Sequence, residues 1–354
     1  MKERKNIKKL LNIGAICFAI VLLYIFNQVF NSFQMRIFNL CGIYVILALS
    51  LNLINGFVGL FSLGHAGFMA VGAYTCALLT MSPDMKAMNF FLEPIAPWLE
   101  NINLPFGSAL IVSGLMAAIA GALIGAPVLR LKDDYLAIAT LGFGEIIRVI
   151  FTNTQSITNG SLGLKGLAKI GWFNASSESI WWIWGIVILT IVFMVRLIGS
   201  SYGRAFKAIR EDEIAAEAMG INLFKHKMMA FVIGAFLAGI GGALLGHLIG
   251  TIDPLMFRFL LTFNIVLIVV LGGTGSITGS VISAVIVTVA MEALRVLDGN
   301  IEIGGYMIQG IPGMRMVVFS LLLMIVILYY QRGLMGTNEF SWDILIKRFK
   351  PSKH

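Results

Sequence analysis

The chain has 354 residues, of which 58% are hydrophobic and 12% charged, with a mean hydropathy of +0.89. A soluble domain carries about 25% charge, and a soluble core of this size cannot hide so much apolar surface, so the composition excludes an ordinary soluble protein. The formal net charge of +8 would suit a nucleic-acid binder, but the basic residues fall mostly in short loops and at the two ends. That distribution is topological, and no nucleic-acid partner is expected.

A helix needs about 20 apolar residues to cross the hydrocarbon core. The qualifying runs are 11–33, 36–54, 60–80, 107–129, 135–153, 180–199, 226–250, 258–272, 276–296 and 314–331. They predict an all-α, polytopic integral membrane bundle of about ten transmembrane helices in lipid bilayer. The run after the basic start is too long for a signal-peptide core and is followed by no small-residue cleavage site, so it reads as a retained first span. Cys17, Cys41 and Cys76 lie inside apolar runs as small fillers, without metal-ligand or disulfide spacing. His65, His226, His247 and His354 are scattered, so no metal site is expected.

Eighteen of the 26 Lys and Arg residues fall within 2–9, 130–132, 196–227 and 332–353. With ten spans, this bias places both ends in the cytoplasm. The expected organisation is one membrane domain over 1–354, with a cytoplasmic N-terminus at 1–10, a cytoplasmic loop at 200–225 and a cytoplasmic tail at 333–354. External loops are expected at 81–106, 154–179 and 297–313, the first irregular and rigid because of Pro83, Pro94, Pro97 and Pro105. Trp181, Trp182 and Trp184 should form an interfacial belt at the outer end of one span. No Walker A pattern occurs, so the chain reads as neither an enzyme nor the holder of a cofactor.

Four segments stand out. In 52–72, Gly56, Gly59, Gly64, Gly67 and Gly72 alternate with Asn52, Asn55, Ser62 and His65 at membrane depth. Bare glycines let helices approach and break, and broken backbone at that depth survives only where protein or a water-filled cavity covers it. The segment is therefore expected to be a glycine-broken helix and a candidate translocation pathway, with close helix packing as the alternative. A second glycine and hydroxyl segment, Leu271–Ile282, resembles it weakly and hints at duplication.

The third segment is the longest cytoplasmic loop. Arg204, Lys207 and Arg210 precede Glu211, Asp212, Glu213 and Glu217, an order that opposes the dipole of a single helix. The basic part should end the preceding span. A short helix should start near Glu211, run through Ala215 and Ala216, and stop at Gly220. The fourth feature is a pair of intramembrane charges, Glu145 and Arg148, on one helical face, with Glu292 and Arg295 repeating the spacing. Glu145 and Arg148 join the pathway candidates.

The stretches Asn55–Phe68, Leu131–Arg148, Asn159–Gly166 and Ala208–Ile221, extended by Ala230–Gly246, resemble the permease subunits of branched-chain amino acid ABC importers, the LivM-like type. The resemblance implies a heterodimer with a second, paralogous permease, two cytoplasmic ATPase subunits that use the ATP, an extracytoplasmic solute-binding protein, and a bacterial inner-membrane location. It also implies that Ala208–Ile221 is the coupling segment, without the family's strict E-A-A triplet. Urea and short-chain amide importers share much of the pattern. A self-contained secondary transporter is the alternative from another class.

Overall fold

Long apolar runs punctuated by glycine and asparagine set the architecture. A computed structural model of the chain describes residues 20–131, 133–168, 178–298 and 313–329, with Gly14, Ile170 and short pieces at 301–303, 306–308, 333–336 and 338–339. The expected N-terminus 1–10, most of the first span before Ile20 and the tail beyond Glu339 lie outside the described residues.

Helix α1 spans Ile20–Val29. Asn31 then starts α2 (Ser32–Asn52), with its N–H donating to Gln34 Oε1 at 3.1 Å, so the first span ends earlier and the second begins earlier than the apolar runs suggest. A π-helical turn over Leu53–Phe57 and non-helical chain at 58–64 lead to α3 (His65–Thr80). Next come α4 (Pro83–Asn89), α5 (Pro97–Glu100), α6 (Phe106–Val128), α7 (Asp133–Asn153) and α8 (Gln155–Thr158). Strand β1 (Leu164–Lys165), α9 (Glu178–Gly199), α10 (Ser201–Glu211), α11 (Glu213–Ala218), α12 (Leu223–Ile249) and β2 (Thr251–Ile252) follow. Helices α13 (Phe259–Gly272) and α14 (Ile277–Ala293), a hairpin of β3 (Ile301–Ile303) and β4 (Tyr306–Ile308), and α15 (Met314–Tyr329) complete the order.

Each expected apolar run contains a helix. Five are long and apolar enough to cross a membrane: α2 with its π turn, α6, α7 from Tyr135, α9 and α12. Helices α1, α3, α13 and α14 are apolar but shorter. The chain is a multi-pass helical membrane protein. Helices α2 and α12 are mostly buried at its centre, and α7 and α9 are mostly exposed on its flanks.

Helix α12 packs along α3, α6 and α2. Lipid tails are as apolar as leucine, so close van der Waals contact must hold such helices together. Gly72 of α3 supplies it: a Cβ there would collide with the backbone of Gly239 in α12.

The end opposite α10 and α11 is more ordered than its prolines suggest. Pro83 and Pro97 open α4 and α5 at the first helical turn, where a missing N–H costs nothing, so the loop at 81–106 is not irregular throughout. Lys86 is fully buried and donates from Nζ to the carbonyls of Leu99 at 2.7 Å and Ile102 at 2.6 Å. Burial holds its ammonium below the ordinary lysine range. Asn89 donates to the carbonyl of Lys165 and accepts from its N–H. β1 pairs antiparallel with β2, setting Leu164 opposite Ile252. The three tryptophans at the start of α9 have different surroundings. Trp181 is exposed, Trp182 packs edge-on against Phe106, and Trp184 stacks on Phe38 at 4.4 Å.

Gly72→Ala should lower the midpoint of heat-induced aggregation of the detergent-purified protein, because overpacking a tight contact costs about 1–3 kcal/mol. Gly185→Ala, on an open face of α9, should leave that midpoint unchanged.

Candidate functional site at two glycine breaks

Breaking a helix inside an apolar bundle frees amide groups that lipid cannot satisfy. The segment between α2 and α3 satisfies them within the protein. Val58 N donates back to Leu53 O and Leu60 N to Ile54 O. Ser62 N donates to Asn55 Oδ1 at 3.2 Å. Leu63 N donates to Thr140 Oγ1 of α7 at 3.0 Å, and Ala66 N to Thr262 Oγ1 of α13 at 2.8 Å. Two helices distant in sequence thus cap the start of α3. The expectation of a broken rather than continuous helix at 52–68 agrees with this geometry.

The second break, between α13 and α14, lies against the first. Asn52 joins them. Its Oδ1 accepts from Gly275 N at 2.9 Å, while Nδ2 donates to Ser276 O at 2.9 Å and to Ser280 Oγ at 2.8 Å. Asn52 is fully buried. Gly56 must be bare because a Cβ would strike the Asn52 side chain and approach Gly275 N at 2.5 Å.

The sequence-predicted pathway residues therefore form a packed clamp. Ser62 is buried beside Asn55, and a Cβ on Gly64 would meet the Thr140 carbonyl at 2.5 Å. A Cβ on Gly67 would meet Cα of Gly144 at 2.9 Å. His65 Nε2 is hydrogen-bonded to Ser50 Oγ at 2.7 Å, and that hydroxyl also lies 3.0 Å from Leu47 O. His65 Nδ1 is buried with no partner among the described residues. Glu145 and Arg148 sit apart from the clamp on α7, paired at 2.6 Å and half-buried. Glu292 and Arg295 pair likewise at 2.9 Å.

The segment Ala208–Ile221 differs from its expected outline. The basic stretch does not end the preceding span. It forms its own helix, α10, with Gly203, Phe206 and Ile209 buried along one side. The next helix starts at Glu213 rather than Glu211, because Asp212 adopts an extended conformation and its Oδ1 accepts from Ile214 N and Ala215 N. Glu211 instead closes α10 and pairs with Arg210. At the other end Gly220 takes φ +82°, and Ile221 N returns to Ala216 O, which stops the helix where the glycine suggested.

Arg210 is the residue whose role the sequence concealed. It points inward. Nη1 donates to Gly56 O in the first break at 3.0 Å. Its side chain fills the space beside Gly59, and a Cβ on Gly275 in the second break would meet Nη1 at 2.5 Å. Glu213 also ties inward, to Lys227 of α12 at 2.6 Å. Ala216 is buried, whereas Ile214 and Met219 of the same segment are more than four-fifths exposed. A cleft of about 670 Å³ opens here, lined among others by Val58, Phe61, Arg130, Arg210 and Glu213.

Asn52→Leu should keep the volume but orphan Gly275 N, a loss of about 1–3 kcal/mol, and take one of its donors from Ser276 O. The variant should show a lower unfolding midpoint by circular dichroism in detergent, and Ser280→Ala, which removes one accepting hydroxyl, a smaller drop.

Residues 34–333 match the family model described as branched-chain amino acid transport system / permease component. The high-affinity branched-chain amino acid transport system permease protein LivM of Escherichia coli K12 is 36% identical over 295 residues, covering 75% of this chain and 65% of that protein. This chain thus spans slightly under two thirds of the length of that relative. The probable LivM of Methanocaldococcus jannaschii is 27% identical, covering 83% of this chain and 90% of that protein. The LivH permease of Salmonella typhimurium is also 27% identical, covering 90% and 97%. A family match over most of the chain, on the same glycine breaks and α10–α11 segment that build the clamp, makes this chain a member of the branched-chain amino acid transport system permease family.

Proposed function

We propose that this chain is the membrane-spanning permease subunit of an ATP-binding-cassette importer in a bacterial cytoplasmic membrane, moving branched-chain or related hydrophobic amino acids inward. It spans the membrane ten times with both ends in the cytoplasm. A second, paralogous permease completes the passage, a solute-binding protein delivers substrate from outside, and two ATPase subunits hydrolyse ATP. Similarity to both LivM and LivH permeases supports a paired arrangement.

The observation that carries the reading is the Arg210 bridge. Helix α11 offers Ile214 and Met219 to a neighbour, and α10 places Arg210 against both breaks. An ATPase that moves α11 therefore moves a side chain in contact with the two weakest points of the bundle. Closure of the ATPases would shift α10 and α11 together, and the breaks would convert that shift into rearrangement of α2–α3 and α13–α14. Asn52, Asn55, Gly56, Gly59, Ser62, Gly64, His65, Gly67, Glu145 and Arg148 belong to the moving or lining parts of the passage in this reading. Of the coupling residues, Arg210, Asp212, Glu213, Ala215 and Ala216 shape the segment, and Glu217 and Gly220 lie toward the ATPase with Ile214 and Met219.

Proline fixes φ near −65°, incompatible with the +82° of Gly220. Gly220→Pro should therefore insert normally, while uptake and substrate-stimulated ATP hydrolysis fall together by about ten-fold in reconstituted vesicles. Charge reversal at Glu213 should be rescued by the reciprocal Lys227→Glu change, because their contact lies within the chain. Normal transport by Gly220→Pro would overturn the coupling role. For topology, a cysteine placed at Lys165 should react with an impermeant thiol reagent added outside intact cells, and one at Lys207 should not. The reverse pattern would overturn the orientation.

A further inference from the structure

The chain after α15 returns to the second glycine break and straps across it. Leu334 N donates to Leu271 O at 2.8 Å and Met335 N to Gly272 O at 3.2 Å, taking the last carbonyls of α13. Gly333 and Gly336 press on Gly273 so closely that a Cβ on Gly273 would strike the backbone of Gly336. Ser276 Oγ donates to Asn338 O at 2.8 Å. Glu339 then caps α14. One carboxylate oxygen accepts from Ile277 N at 2.6 Å, and the other from Thr278 N at 3.0 Å and Thr278 Oγ1 at 2.7 Å.

Every donor in the first turn of α14 is thereby accounted for. Gly279 N goes to Ser276 Oγ, Ser280 N to Ser276 O, and the two donors left go to Glu339. A carboxylate at a helix N-terminus gains from the dipole as well as from the hydrogen bonds. The start of α3 takes its acceptors from α7 and α13, helices of the bundle. The start of α14 takes two of its acceptors from a strap outside the bundle. Arg210 meets the same break at Gly275. The break at 273–276 is thus bonded by Asn52 and the strap and closely approached by Arg210.

A glycine hinge pushed at one point bends unless it is fixed at another. We propose that Glu339 is a positioning residue for transport. The strap fixes the near end of α14, so that displacement of Arg210 moves α13 and α14 as a unit instead of being absorbed at Gly273 and Gly275. This inference rests on the coupling role proposed for α10 and α11. Loss of the strap leaves α11 docked, so ATP hydrolysis continues while uptake fails.

The test uses the whole transporter, purified through a tag on this chain and reconstituted in vesicles. Glu339→Ala should retain substrate-stimulated ATP hydrolysis, and uptake per ATP hydrolysed should fall about five-fold or more. Gly220→Pro, measured alongside, lowers uptake and hydrolysis together, so the two readings fail separately. An unchanged ratio in Glu339→Ala, with Gly220→Pro impaired, would sink the strap and leave the coupling segment standing. Normal transport by Gly220→Pro would remove the basis of both. In a Cys17→Ser background, Thr278→Cys with Glu339→Cys should show the same lowered ratio, restored when a short bifunctional thiol reagent bridges the two positions. A covalent tie replaces positioning but not a defect of folding or assembly, so a low ratio that the bridge leaves unchanged would also overturn the proposal.

Discussion

The structure depends on one constraint: backbone freed at membrane depth must be paired inside the protein. Two helix breaks in one small region multiply that demand. The chain meets it by letting each break serve the other. Asn52, at the end of α2, spends its whole amide on the loop that begins α14. Thr262, on the helix before the second break, caps the helix after the first. Neither break is closed without helices from the other half of the chain, which explains why both halves pack around α2 and α12.

Rigidity and hinge are divided along the same line. Helices α3, α6 and α12 contact one another through bare glycines, where even a methyl group has no room. Such an interface resists shear. The breaks are tight as well, but Gly59 and Gly275 are both at positive φ and side-chain hydrogen bonds close them. A bundle built this way has stiff bodies and two defined places to bend. Arg210 touches both places, from a helix that is otherwise on the surface. Its charge is balanced by neighbouring Glu211, so the guanidinium reaches the carbonyl of Gly56 without entering the bundle unpaired.

Much of this was legible in the sequence, and what escaped has a physical reason. Hydropathy located the apolar helices, because lipid imposes a length and a polarity that few other environments do. The break at 52–68 followed from glycine and asparagine in one apolar run, and the stop at Gly220 from helix chemistry. The start at Glu213 was missed by two residues because Asp212 acts as a cap rather than as part of an acidic first turn. Arg210 falls in the segment that the resemblance implies couples to the ATPases, but a sequence does not say which way its long side chain folds. Thr140, Thr262 and Glu339 carry no local signal at all. Their importance lies in the amides that they meet, at separations of 61 to 196 residues. Asn52, Asn55, Ser62 and His65 lie together at the first break, where their polar groups hold it closed, whereas Glu145 and Arg148 sit apart on α7.

The same hydrogen bonds also bear on how the clamp opens. In the closed clamp Asn52 accepts one bond and donates two, and each donor or acceptor that separates must find a new partner away from lipid. Buried amides left unpaired cost about 1–3 kcal/mol each. Separating α2 from α14 without replacement partners would therefore oppose several such penalties at once. Two routes avoid them. Water can follow the opening, which requires the breaks to face a wet space such as the cleft lined by Val58 and Phe61. Alternatively, α2, the two breaks and α14 can move as one body, leaving Asn52 undisturbed while more exposed helices such as α7 and α9 shift relative to them. The second route keeps every bond of the clamp. It assigns the motion to sliding at the flanks, where the helices are mostly exposed.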